Sequence, residues 1–359
     1  MTDPMISFEG ATCPLPFNHN DLIVLGHGSG GRMSFDLIRK VFLPSFANPI
    51  LNTGDDAGLI SLPQSENNLN PRIAISTDSH VVTPLFFPGG DIGRLAICGT
   101  VNDVCMLGAN PLWMTVGFIL EEGLKVDILY KVVESMHAAA VEANIQVIAG
   151  DTKVVQNGKA DGLYINTTGF GIVPSGVNIS GTRAKPGDSV IVSGTIGDHG
   201  ISVLAARGEL NFETEIISDV APLNGLVAAM LDVTKDLHVL RDPTRGGLAT
   251  SLNEIAIQSE VGIIIHEENI PVKPAVKAAC EMLGFDPLYV ANEGKLIVIV
   301  EKYNAESVLA AMKKHPLGKD AVIIGSITDK PEILVTMKST YGTTRIIDML
   351  SGEMLPRIC

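Results

Sequence analysis

RIAISTDSHVVTPLFFPGGDIGRLAICGTVNDVCMLGANPLWMTVGFIL, residues 72–120, decides the architecture. Its first five residues are a short apolar run that reads as a strand. From 91 to 108 apolar residues recur at spacings of three and four, the period of a helix. Cys98 and Cys105, seven apart, share one face of that helix as small core residues. Residues 114–120 form a second strand. Moving outward, a helix at 126–143 and strands at 145–149 and 163–173 complete the order strand, helix, strand, helix, strand, strand. That order predicts an α+β layer with a helix covering a sheet.

Upstream, GHGSGG (26–31) precedes a helical pattern, MSFDLIRKVFL, that is expected to stop at Pro44. Residues 1–25 are irregular. Downstream, SGVNISGTRAKPGD is rich in Gly, Ser and Pro and marks a boundary, giving one domain over 26–178 and a second over 179–347. The second reads as strand 189–193, helices 199–207, 221–233 and 245–259, strand 262–265, helix 272–283, strand 296–300, helix 305–313, and strands 321–327 and 332–337. Beyond 347 the pattern ends, and 348–359 reads as a flexible tail.

The chain has 359 residues, and two domains are expected at roughly 150 residues each. A net charge of −14 argues against binding nucleic acid or an anionic membrane, which takes surplus cations. With 46% hydrophobic and 18% charged residues the chain can bury a large core. No apolar stretch is long enough to span a membrane, and the first residues do not read as a secretory signal. Five cysteines without a C-x-x-C pair fit a reducing cytoplasm rather than a disulfide framework.

Four Asp-bearing motifs stand at the ends of apolar runs: GDDA with Asp55 and Asp56, STDS with Asp78, VNDV with Asp103 and GDTK with Asp151 and Lys153. Taken singly, each Asp reads as a helix or turn cap. Taken together, carboxylates beside core segments point to a site where a hard cation such as Mg²⁺ bridges phosphates. Gly28, Ser29 and Gly30 lie in a loop ahead of a helix that reads as a phosphate cradle or as a flexible turn; it lacks the Lys-Ser/Thr pair of a P-loop. In RDPTRGG (241–247), Asp242 or Thr244 reads as a cap and the two Arg as partners of an anion. Glu293, just before a strand, reads as a general base or as part of a surface turn. Cys359 is an exposed terminal thiol, either an oxidation liability or a tethered carrier with a reach of roughly 40 Å over about twelve residues. It is not in the position of a prenylation signal.

These motifs resemble the HypE family of hydrogenase maturation factors, within the superfamily of aminoimidazole ribonucleotide synthetase, thiamine monophosphate kinase and selenophosphate synthetase. The matching stretches are GHGSGG, GDDAG (54–58), residues 76–113, GDTKVV (150–155), RDPTRGGLATSLNEIA (241–256), NEGK (292–295) and the terminal PRIC (356–359). The Asp motifs indicate the superfamily; PRIC, GHGSGG and FFPGGDIG indicate HypE. The resemblance runs from about residue 25 to residue 359. It implies two α/β domains of the aminoimidazole ribonucleotide synthetase type, the first contributing to a β-barrel shared across a homodimer, with the ATP cleft at that interface.

The resemblance further implies ATP-dependent dehydration of a carboxamide on Cys359 to a thiocyanate, which supplies cyanide for the iron of nickel–iron hydrogenase. Asp56, Asp78, Asp103 and Asp151 would hold Mg²⁺ and phosphates, with Asp55 also at the cofactor. Glu293 would accept a proton, Lys153 would polarise the amide or steady the phosphoryl group, and Gly28, Ser29 and Gly30 would cover phosphates or tail. The implied partners are the carbamoyltransferase HypF and the HypC–HypD iron scaffold. Two alternatives remain at this stage: another enzyme of the superfamily, such as a small-molecule kinase or selenophosphate synthetase, or a non-catalytic carrier that presents Cys359.

Overall fold

The computed structural model describes residues 22–63, 71–208, 216–329 and 334–350. Most of the irregular N-terminal segment, and Cys359 with the tail after residue 350, lie outside the described residues. The chain opens with α1 (Arg32–Leu37), a π-helical turn over Ile38–Phe42 and α2 (Leu43–Phe46). The helical path therefore continues past Pro44, contrary to expectation. Pro44 falls in the first turn of α2, directly after the π-helical turn.

The first sheet comprises β1 (Gly58–Ser61) and β2 (Arg72–His80), and later β5 (Asn110–Glu121), β6 (Gln146–Val155) and β7 (Leu163–Val173), ordered β1-β2-β7-β5-β6; β3 (Phe86–Phe87) and β4 (Gly90–Asp91) form a small ribbon apart. Helix α3 (Ile92–Cys105) begins where Asp91 Oδ1 accepts hydrogen bonds from the N–H groups of Gly93 and Arg94, at 2.7 and 3.3 Å. It is buried almost all round, because it lies between β2 and β7 on one side and later helices on the other. Only β5 and β6 pair in parallel within this sheet, and α4 (Val126–Glu142) makes the crossover that such pairing requires.

The second half alternates β8 (Ser189–Val192), α5 (Asp198–Ala206), α6 (Asn224–Leu231), β9 (Leu237–Arg241), α7 (Gly247–Ser259), β10 (Gly262–His266), α8 (Pro274–Leu283), β11 (Ile297–Val300), α9 (Lys302–Lys314), β12 (Val322–Thr328), β13 (Val335–Lys338) and β14 (Thr344–Ile347). Its seven strands are ordered β14-β13-β10-β12-β8-β11-β9. The chain is thus the α+β protein expected, with two α/β halves. Strands β1, β3, β4, β9 and β14 are additions to the sequence reading. Strand β9 carries His238 and Arg241, which break its apolar run, yet it is buried throughout because Asp188 and Asp56 meet those two side chains. Part of the predicted strand 332–337 lies outside the described residues.

One apolar core runs from β2, β5 and β7 through α3 into α6, α9 and β11; a second fills the space under α7. The shared core fixes the two halves against each other and sets the ends of β2, α3 and β9 around one cavity.

Candidate active site

Asp56 and Asp78 come from the first half, Asp103 from α3, and Asp242 and Glu293 from the loops after β9 and before β11. All five line one cavity of about 160 Å³ together with Ser76, His80, Thr244 and Arg245. Asp56 is tied to the second half by Arg241, whose Nη1 lies 2.9 Å from Asp56 Oδ1 and 3.3 Å from Glu254 Oε2. Burial works against the charge on Arg241, but Asp56 and Glu254 outweigh it and keep the guanidinium protonated. Ser76 Oγ sits 2.7 Å from Asp103 Oδ2. The N–H of Ser79 donates to Asp78 Oδ1 at 2.8 Å.

The carboxyls differ in their response to burial. Burial pushes Asp103 and Glu293 well above the ordinary carboxyl range, and neighbouring Asp242 and Asp78 add to it. Burial likewise raises Asp56, with Arg241 pulling the other way, and lifts Asp242 to about 6. Asp78 alone is held low: burial opposes its charge, but His80, Arg245 and the Ser79 N–H overcome it. Burial lowers His80 in turn, with Arg245 adding to it and Asp78 working the other way.

Glu293 is held by its backbone. Its N–H donates to Asp219 Oδ1 at 3.1 Å, Lys295 Nζ donates to Asp219 Oδ2 at 3.1 Å, and Asn102 Nδ2 lies 3.3 Å from the Glu293 carbonyl. A Cβ on the next residue, Gly294, would fall 1.8 Å from the Asp219 carbonyl oxygen, so only glycine permits this approach. The Glu293 side chain is left buried with Oε1 unpartnered, and Asp242 Oδ2 is unpartnered too. Buried oxygens without donors are costly. Together with converging carboxylates they form a hard-oxygen donor set of the kind magnesium takes, so the residues present fit that ion.

The glycine loop reaches the rim of the cavity. Arg245 Nη1 lies 3.4 Å from the Gly28 carbonyl oxygen. Gly30 has φ +79°, and a Cβ there would fall 2.6 Å from Arg245 Cβ. Ser29 Oγ donates to the Gly26 carbonyl at 2.8 Å, which braces the loop.

Three sequence-predicted residues stand apart. Asp55 Oδ1 accepts from the Gly181 N–H at 2.6 Å and from Ser180 Oγ at 3.1 Å, and so joins the two halves rather than lining the cavity. Asp151 and Lys153 lie on β6, which continues through GDTK instead of ending at 149; both are exposed and neither lines the cavity. In the other direction, sequence reasoning missed His80, and it cast Asp242 as a cap. In the structure α7 starts at Gly247, and its N-cap is Gly246, with no side-chain cap.

A two-halved α/β fold with a carboxylate cavity between the halves defines the class. Residues 54–173 match the AIR synthase related protein N-terminal domain and residues 185–338 the corresponding C-terminal domain. The carbamoyl dehydratase HypE of Cupriavidus necator is 52% identical over 337 residues, covering 94% of this chain and 95% of that protein. Among solved structures, a crystal structure of a HypE–HypF complex superposes with TM-score 0.82 at 52% identity, covering 88% of this chain and 99% of that one. A hydrogenase maturation protein HypE in complex with ATP gives TM-score 0.77 at 49% identity, covering 94% and 100%. The chain belongs to the HypE family of carbamoyl dehydratases. Among the described residues no helix is long and apolar enough to cross a membrane.

Proposed function

We propose that this chain uses ATP to dehydrate a carboxamide carried on the sulfur of its own Cys359, leaving a thiocyanate as the source of cyanide for a nickel–iron hydrogenase. The observation that carries the reading is the buried, unpartnered Glu293 Oε1 in the same cavity as Asp56, Asp78, Asp103 and Asp242. The ATP complex of a relative supports the choice of co-substrate. The amide oxygen of Cys359–S–C(=O)–NH₂ attacks the γ-phosphorus and ADP departs, which turns a poor leaving group into phosphate. Glu293 takes one N–H proton as the C–O bond breaks; the other is released, and carbon–nitrogen becomes a nitrile. The products are the thiocyanate, ADP and phosphate. Magnesium, when bound, neutralises charge on the triphosphate; Asp56, Asp78, Asp103 and Asp242 would hold it. Gly28, Ser29 and Gly30 cover phosphates or tail.

Asp151 and Lys153 enter this scheme from a second copy. A cavity of about 160 Å³ suits phosphoryl groups and a cation, not a whole nucleotide, for which sites of roughly 300–1,000 Å³ are usual. Exposed apolar side chains on both sides of the β5–β6 edge, Val147 and Val154 on one and Trp113 and Ile119 beside Lys153 on the other, offer a surface for a homodimer that would bring Lys153 to the partner's cleft. HypF is the proposed carbamoyl donor, supported by its complex with a relative. The HypC–HypD scaffold is the proposed cyanide acceptor, and the cytoplasm the proposed setting.

Mass spectrometry of the carbamoylated chain tests the proposal: ATP should remove one water from the C-terminal peptide, and no loss refutes it. Cys359→Ala should abolish thiocyanate formation. Glu293→Gln should still bind ATP in calorimetry while dehydration slows by about 10²–10⁴-fold; unchanged turnover would take Glu293 out of the mechanism.

A further inference from the structure

We infer that a second metal site, for a first-row divalent ion such as zinc, lies at the start of β9, formed by Asp236, His238 and Glu301. Their ligand atoms lie within 4.8 Å of one another. His238 is fully buried, and its Nε2 has no hydrogen-bond partner. That nitrogen is aimed at the cluster, 3.7 Å from Asp236 Oδ1. The other ring nitrogen, Nδ1, lies 2.7 Å from Asp188 Oδ2. Asp188 is itself buried and accepts the Lys185 N–H on the same oxygen. A carboxylate behind Nδ1 fixes the proton there and leaves the Nε2 lone pair facing outward, the arrangement that orients metal-binding imidazoles.

The two carboxylates are placed to answer it. Glu301 follows β11, the neighbour of β9, and stands at the N-cap of α9 without capping it. Asp236 is exposed and can turn inward. A tetrahedral zinc site brings ligand atoms to about 3.3 Å of one another, a contraction that two mobile carboxylates can supply around a fixed imidazole. One imidazole and two carboxylates suit zinc, cobalt or manganese better than calcium. Arg183 Nη2 lies 3.6 Å from Asp236 Oδ1 and is the competing cation. Asp188, Asp236 and Glu301 set against Arg183 still leave two negative charges, the deficit that a dication fills.

The site is distinct from the carboxylate cavity. His238 precedes Asp242 by four residues, so along the strand they stand roughly 13 Å apart. An ion there would pin the outermost strand of the seven-stranded sheet at the end opposite Arg241 and Asp242.

Cobalt(II) binding to the full chain tests the inference, with Cys13 and Cys359 changed to Ala to remove competing thiols. The parent should bind one more ion per chain than the Asp236→Asn/Glu301→Gln double variant, whose fold is checked by retained ATP binding. Asp188→Asn should weaken that binding by about 10–100-fold. In ¹⁵N-labelled protein the added ion should move the His238 imidazole resonances. Equal stoichiometry and affinity in parent and double variant, or imidazole resonances that stay in place at saturation, would overturn the site.

Discussion

Strands β8, β9 and β11 are buried along their whole length, whereas β6, with Val147, Ile148 and Val154, is exposed from Gln146 to Val154. Both sets carry Val and Ile, but β6 is also the more polar and its surroundings are open. The seven-stranded sheet is finished within one chain, with helices over its centre and the HypE-type cavity at its rim. The five-stranded sheet leaves an edge strand and apolar side chains uncovered, a state that soluble proteins rarely tolerate. The same split divides the site: the carboxyls of Asp56, Asp103 and Glu293 sit in the closed region, while Asp151 and Lys153 sit on the open one.

The contrast can be broken most directly by charging the open face. Val147→Asp with Ile148→Asp should give a single-copy mass in light scattering and abolish turnover; a dimeric, active variant would end the idea that β6 is an interface. Mixing is the sharper test. Lys153→Ala and Glu293→Gln proteins should each be nearly inactive, and scrambled mixtures should regain about a quarter of parental turnover if each site draws one residue from each copy. A mixture that stays inactive places Lys153 within its own chain's site.

Smaller effects separate the sheets by stability. Ile299→Ala on β11 should cost about 2–5 kcal/mol in urea unfolding at any protein concentration. Val154→Ala should cost less, and the loss should depend on protein concentration. The last test concerns pH. Asp242 is raised from 3.8 to about 6, so between those values the native chain holds a proton that the unfolded chain has released. Its contribution to stability therefore falls as pH rises through that window. In chelator, the advantage of Asp242→Asn over the parent should grow from pH 4 to 6 towards roughly 3 kcal/mol, and magnesium should shrink it. A flat difference would show that Asp242 is not penalised by its surroundings.

Periodicity revealed most of the helices and the long strands, since α4 and β7 bury one face in a regular rhythm. It failed where tertiary partners override composition. LHVLR has no unbroken apolar run to mark a strand, and it is buried because Asp188 and Asp56, both distant in sequence, meet His238 and Arg241. β6 seemed to end at Ala149 because GDTK, which follows, is polar, yet an exposed strand accepts charge anywhere along its length. The doubled Asp of GDDA gave no hint of its division of labour; Asp55 joins Gly181 while Asp56 turns to Arg241. Glu293 was legible as a loop carboxylate at a strand entrance, but the Gly294–Asp219 approach that buries it depends on residues some seventy positions away. Asp242 looked like an ordinary helix cap because its neighbours in sequence hide its neighbours in space.

The last described residues carry a consequence for how cargo travels. Asp348 is bonded to Arg32, and the Leu350 carbonyl accepts the Arg32 N–H at 2.7 Å, right beside the glycine loop. Residue 350 is thereby moored at the lip of the cavity, and under the proposed function the nine residues beyond it would limit the reach of the Cys359 sulfur to roughly 30 Å. On that proposal such mooring would make delivery a matter of local concentration instead of affinity, and a docking enzyme would need only to present its donor group inside that sphere. Lengthening the leash by a flexible insertion would dilute the sulfur at every station it visits, whereas shortening it would put the farther stations out of reach.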